Sequence, residues 1–413
     1  MPKNVNVILG LPPNNSLTSL LIYEGLLYLI NNVPARIDVD RIKIPADGIM
    51  HVYGSLDDKR ILDKIYISTV GINDEKSIKT FLKELGIKYD EFLTTIKKEK
   101  TKEELEEILK RLGIKSDGKK KEQKITNYRV LLYLLKNNSR NLSSIDDVVL
   151  KASIKGRRMF VGDVKEDKGL ALQLLKSERY TGITSSEHNY TDTQITTYVS
   201  KEVLLIALLG LYSSFIVKSD NMHYFLFFSV DELNEMLSGI KDARIMFLLK
   251  NEVREVLEEI IRRYFGEDLI VTETMINIKL QEALATYNVD SLSLLLFKVA
   301  QEGHTYKAYE SLPITIFLRE RRELYKILES IVSPRSVVLE RLRDNKNVEY
   351  NNLVSVIAGL HRFVVLNDKY GIYVALRELY NAYTKVKNDE KLLKTADQYA
   401  MLLKGLSHIE RIL

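Results

Sequence analysis

Two stretches of this chain are apolar on nearly every side over a helical length: residues 17–30, and the run that starts at about Ser200 and leads into the strand at 214–217. A helix without a polar face belongs inside a core, so both are expected to be buried. Ser16 stands where an N-cap is needed for the first. Residues 5–10 read as a short strand running into the loop Leu11-Pro12-Pro13-Asn14-Asn15. Strict alternation over 36–44 predicts one half-buried strand, and 65–70 predicts another, followed by Gly71-Ile72-Asn73-Asp74 and a helix over 75–85. Helical patterning returns over 89–112 and 125–136, with a loop at 113–124 and a polar break at 137–144. Met159-Phe160-Val161 reads as a strand, and 181–197, rich in serine and threonine, as an exposed connection. Residues 214–217 and 223–229 form a predicted hairpin through Lys218-Ser219-Asp220-Asn221.

From Asp231 onward helix dominates. The amphipathic stretch 240–265 ends at Gly266, and a bundle is expected over 291–302, 314–331, 348–366, 369–386 and 390–412. In the last of these Leu392, Ala396, Tyr399, Leu403 and Leu406 fall on one stripe. Tyr23, Tyr28, Tyr373, Tyr380 and Tyr383 lie on apolar-rich helices and read as core. The fold class is therefore α+β: an N-terminal α/β layer, a central mixed region with a hairpin, and a helical bundle at the C-terminus. The corresponding expected regions are 1–112, a basic connection at 113–170, 171–288 and 289–413.

Composition narrows the chemistry. The 413 residues contain no cysteine, which excludes disulfides, thiolate metal sites, iron–sulfur clusters and cysteine nucleophiles. The apolar run at 203–217 falls short of the roughly 20 residues a membrane span needs, and 7–11 is too short for a signal-peptide core. A cytoplasmic protein without membrane contact is expected. The formal net charge is +5, but its distribution says more. Lys115, Lys119, Lys120, Lys121, Lys124 and Arg129 face only Asp117 and Glu122 within 115–129, and Lys151, Lys155, Arg157 and Arg158 face no acid within 151–158. The rest of the chain is net acidic, so these clusters set the field that a polyanion meets.

Catalytic templates find no match. There is no G-x-x-x-x-G-K-[ST] and no G-x-G-x-x-G after a strand. His51, His188, His223, His304, His361 and His408 are dispersed, and none belongs to an H-E-x-x-H. Glu187, His188 and Asp192 could hold a divalent cation, but their spacing matches no metal motif and a solvated polar loop is by far the better account of them. Asp38 and Asp40 fit a salt-bridged surface strand, and His223 a half-buried hairpin position. Nucleic-acid contact fits the residues better. Lys119, Lys120 and Lys121 follow Gly118 as mobile point charges, or simply keep a loop soluble. Lys155, Arg157 and Arg158 flank Gly156, and the arginines can contact phosphate bidentately or reach base edges. Arg319, Arg321, Arg322, Arg335, Arg341 and Arg343 form weaker basic groups.

The layout resembles the large subunit of the archaeal type I-A CRISPR surveillance complex, Cascade. The features that carry this are Val5-Asn6-Val7-Ile8-Leu9 running into Gly10-Leu11-Pro12-Pro13, the helix with Tyr23-Glu24-Gly25-Leu26-Leu27, the segment YVSKEVLLIALLGLY at 198–212, and the helical C-terminal third. The resemblance implies a non-enzymatic scaffold without cofactor or metal. Such a subunit helps to recognise the protospacer-adjacent motif in duplex DNA and contacts crRNA and target DNA. It also docks the other Cascade subunits and the nuclease-helicase. The family has no strict residue signature, so the binding candidates come from charge alone. Two other readings stay open. Residues 65–74 before a helix resemble the nucleotide-sensing domains of CRISPR ancillary effectors, although the ribonuclease motif of Arg with a following His is missing. A metal-dependent nuclease would rest on Glu187, His188 and Asp192.

Overall fold

The computed structural model describes residues 4–10, 13–14, 16–38, 41–61, 75–89, 127–155, 158–164, 169–171, 196–219, 222–263, 267–302, 305–318, 322–333 and 335–412. The chain divides into two compact units, Met1–Ala243 with Leu295–Leu312, and Arg244–Leu294 with Pro313–Leu413. The fold is α+β, and its C-terminal region is helical.

In the first unit the opening strand β1 (Asn4–Leu9) is followed by α1 (Leu17–Asn32), whose N-cap Ser16 accepts a hydrogen bond from Ser19 N, as expected. The alternating run that reads as one strand is a hairpin, β2 (Arg36–Asp38) against β3 (Arg41–Pro45), with Asp38 opposite Arg41. Alternation is preserved in both antiparallel strands, so the pattern alone does not show that there are two. Asp38 pairs with Arg36 and Lys43 at 3.5 and 3.6 Å, and Asp40 lies outside the described residues. Helices α2 (Ala46–Gly54), α3 (Glu75–Glu84) and α4 (Asn127–Asn137) follow, then β4 (Val148–Leu150). The first sheet has the order β2-β3-β1-β4, antiparallel except for the β1/β4 pair. Val5, Val7, Ile42 and Ile44 alternate inward from it and are fully buried.

A second sheet, in the order β5-β6-β8-β7, is built from β5 (Ala152–Lys155), β6 (Arg158–Val161), β7 (Leu170–Ala171) and β8 (Thr196–Val199). Thr196 and Thr197 thus leave the expected exposed connection: Thr197 is fully buried, because the threonines continue an alternating Thr-Thr-Tyr-Val strand. Ser200 then caps α5 (Lys201–Ser214), accepting from Val203 N. The hairpin β9 (Phe215–Ser219) and β10 (Met222–Phe228) forms as expected, and His223 on it is buried. It lies in a third sheet, β12-β11-β10-β9, and α6 (Val230–Leu237) follows it.

Helices α1 and α5 pack together in the core of this unit. A Cβ on Gly25 would stand 1.9 Å from Ile206 O, and one on Gly210 would stand 1.9 Å from Leu21 O. Only glycine at both positions lets the two backbones touch. Beside this crossing the buried Glu24 accepts a hydrogen bond from Ser213 Oγ at 2.5 Å. Tyr53 OH donates to Leu205 O at 2.6 Å. Tyr23 is in the core as expected, and burial pushes its phenol up to about 12.

In the second unit α7 (Ala243–Arg263), α8 (Glu267–Ile276) and α9 (Ile278–Tyr287) lead to β11 (Ser291–Glu302), which from Leu295 belongs to the first unit and pairs in its third sheet with β12 (Thr305–Phe317). The helix expected over 291–302 is therefore a strand. Leu292, Leu294 and Leu296 are buried while Ser291, Ser293 and Leu295 are less so, a period of two. The helix expected from 314 starts only at Arg322 in α10 (Arg322–Val332) for the same reason. Then come α11 (Val337–Leu342), α12 (Tyr350–Val365), α13 (Tyr370–Val386) and α14 (Leu393–Ile412). α12 packs on α8 and α13, and α14 packs on α13 and α10. Tyr399 is fully buried there. Tyr373 and Tyr380 are not core residues: they are 47% and 55% exposed, because Ile372, Ala375, Leu379 and Ala382 already fill the inward face of α13.

Candidate nucleic-acid interface

Two members of the second basic cluster end the β5/β6 ladder, which places Lys155 opposite Arg158. Side chains alternate between faces along a strand, and directly paired residues share one. The register also pairs Ser153 with Phe160, and Phe160 with Tyr198 of β8. One sheet face therefore carries Lys155, Arg158, Phe160 and Tyr198. The contacts agree: Phe160 and Tyr198 stack at 5.6 Å, and the Arg158 guanidinium lies over the Tyr198 ring at 5.8 Å from its centroid. Lys155 and Arg158 are exposed, Tyr198 is half-buried and Phe160 is buried. The result is a graded surface, aromatic within and cationic at the rim.

This arrangement has definite chemistry. Two opposed like charges raise the local positive potential. Stacking engages the face of the guanidinium and leaves the in-plane N–H fork oriented for two phosphate oxygens. Tyr198 holds Arg158 from below and offers a ring edge beside it. Lys151, at the other end of β5, is also exposed.

Of the residues expected to bind nucleic acid, the fold brings Lys155 and Arg158 together. Arg157, Lys119, Lys120 and Lys121 lie outside the described residues, as do Glu187, His188, Asp192, Arg319 and Arg321. Arg341 is withdrawn from the basic groups. Its Nε and Nη2 donate to the two carboxylate oxygens of the fully buried Glu349 at 2.6 and 3.2 Å, an internal bond. Tyr198 escaped the sequence reading as a site residue. Its one signal was alternation in Thr-Thr-Tyr-Val ahead of a buried helix. Among the described residues no group of three or more His, Asp or Glu side chains is gathered to hold a metal ion. No helix among them is long and apolar enough to cross a membrane.

No protein-family model matches the chain, and no solved structure does. An uncharacterized protein of Archaeoglobus fulgidus is 35% identical over 426 aligned residues, covering 98% of this chain and all of the relative. The two chains belong to one family.

Proposed function

We propose that the family this chain forms with its archaeal relative supplies a non-catalytic, nucleic-acid-binding subunit of an RNA-guided DNA-targeting complex of the Cascade type, working in the cytoplasm. In complexes of this kind base pairing reads most of the sequence, and protein reads a short motif and the backbone. The observation that supports the reading is the β5/β6/β8 face, with Lys155 and Arg158 opposed at its rim and Tyr198 beneath the guanidinium. These groups hold phosphate and approach bases, and they include no general acid, base or nucleophile arranged for cleavage. Partners on this reading are crRNA and target DNA, the other Cascade subunits and the nuclease-helicase.

The test is fluorescence anisotropy of the full chain with a labelled DNA duplex across a salt series. Each phosphate contact adds about 0.9 to the slope of log K against log salt. The double variant Lys155→Ala/Arg158→Ala is expected to weaken binding and flatten that slope by roughly 2. Tyr198→Ala should weaken binding less, by releasing Arg158 from its ring. An unchanged slope in the double variant would refute the assignment. Co-purification of the chain with an RNA and several subunits tests the partner set.

A further inference from the structure

A second surface, within the second unit, carries aromatic rings that the core does not use. Tyr370, Tyr373 and Tyr380 of α13 are 58%, 47% and 55% exposed. With Arg377 they recur at intervals of three and four residues, which places all four on one face of the helix. Cations interleave with the rings: the Arg362 guanidinium lies 5.9 Å from the Tyr370 centroid, and Lys387 Nζ lies 5.9 Å from that of Tyr383. Neighbouring rings also touch, Tyr370 with Tyr373 at 6.4 Å and Tyr380 with Tyr383 at 6.3 Å. Between α13 and α14 the face opens into a groove of about 410 Å³ lined by Tyr373, Leu376, Arg377, Tyr380, Leu403 and Lys404 among others. None of its described lining residues is acidic. Two nearby carboxylates are engaged: Asp368 with Arg362, and Glu378 with Asn352, Asn381 and Arg377.

We infer that this face of α13 and α14 is a stacking track for single-stranded nucleic acid, separate from the duplex contact at Lys155 and Arg158. The inference rests on the reading above for its ligand class. Single-strand sites combine a positive groove with aromatic faces on which successive bases stack, without regard to sequence. Here Lys404 supplies positive charge to the groove, Arg377 presents the N–H groups that its ion pair with Glu378 leaves over, and Tyr373 and Tyr380 supply the ring faces, about 10 Å apart along the helix at 1.5 Å per residue. An acidic peptide would meet the same cations. It would also require a closed apolar floor in which to desolvate, and here cations separate rings that stay half in water.

The experiment uses the full chain, a labelled 20-nucleotide single strand, the DNA duplex and an acidic peptide. Because both rings are exposed, Tyr373→Ala/Tyr380→Ala is expected to fold like the parent. It should lose about tenfold or more in single-strand affinity for each ring and keep its duplex affinity. Tyr373→Phe/Tyr380→Phe should bind like the parent, because the ring face does the stacking. Lys404→Ala should lower the salt slope for the single strand by about 0.7. If single-strand affinity is unchanged in the double alanine variant while Lys155→Ala/Arg158→Ala loses the duplex, the inference fails and the reading of function stands. If the parent binds neither nucleic acid, both fail. Peptide binding that the alanine variant abolishes, with no single-strand binding by the parent, also overturns the inference.

Discussion

Arg341→Ala separates the two roles open to a basic residue in the C-terminal region. Sequence alone allows Arg341 to face a polyanion; in the fold its guanidinium grips Glu349 through bonds of 2.6 and 3.2 Å. Glu349 is fully buried, and its other partner is Tyr399 OH at 3.3 Å. Burial, and after it the Glu349 charge, holds the Tyr399 phenol well above its ordinary range, so that it stays protonated and donates. Removing Arg341 leaves an ionised carboxylate in the interior with one neutral donor. Breaking a buried pair from one side costs about 3–5 kcal/mol. The Arg341 side chain is 20% exposed, so water can partly replace it, and the lower end, about 3 kcal/mol, applies. In a unit of about 150 residues each kcal/mol moves Tm by about 2–4 °C, so Tm should fall by roughly 6–12 °C. Arg341→Met/Glu349→Met removes both charges and should recover most of that loss. Thermal unfolding followed by circular dichroism measures both, with duplex binding assayed at 25 °C where the variant remains folded. A Tm unchanged in Arg341→Ala, or a double variant no more stable than the single, would refute the reasoning. Loss of duplex affinity at unchanged Tm would return Arg341 to the binding surface.

Gly25→Ala gains about 1 kcal/mol of helix propensity, yet its Cβ would stand 1.9 Å from Ile206 O. The two backbones must separate, so a net loss of about 3 kcal/mol or more is expected in urea unfolding. Gly239→Ala, with φ at +75° and open space around the Cβ, should cost only about 1 kcal/mol. Glu378 is held below its ordinary carboxylate range first by a hydrogen bond from Asn352, then by those from Arg377 and Asn381. A lowered folded pKa contributes stability that is present above the unfolded value near 4.5 and is lost as pH falls through the folded one. The Tm gap between the parent and Glu378→Gln should therefore be constant near neutrality and close on acidification below about pH 4.5; a gap that widens there would contradict the assignment.

Much of this fold was legible in the sequence because it is written in local signals. The Ser16 cap, the two helices without a polar face, the β9/β10 hairpin and the β6 strand each follow from a few neighbouring residues. Errors arose where one local pattern serves two structures. Alternation over 36–44 fits a strand and a hairpin equally, and the apolar run at 291–302 fits helix or strand until β10 offers its edge. Tyr373 and Tyr380 misled because apolar residues on α13 outnumber the positions its neighbours can cover.

The candidate site divides in the same way. Sequence by itself determined that positive charge concentrates at 151–158, because charge is a property of residues and needs no fold. It could not place Tyr198 beneath Arg158, because that relation comes from strand register across 40 residues of chain, and it did not show the β5/β6 pairing that sets Lys155 opposite Arg158. Nor could it bring Gly25 to Gly210, since an isolated helix gives no reason for glycine at either place. Tertiary structure also took Arg341 out of the basic surface and put three tyrosines on it. The physical reason is common to all of these: sequence fixes what each side chain can do, while burial and register decide what it meets.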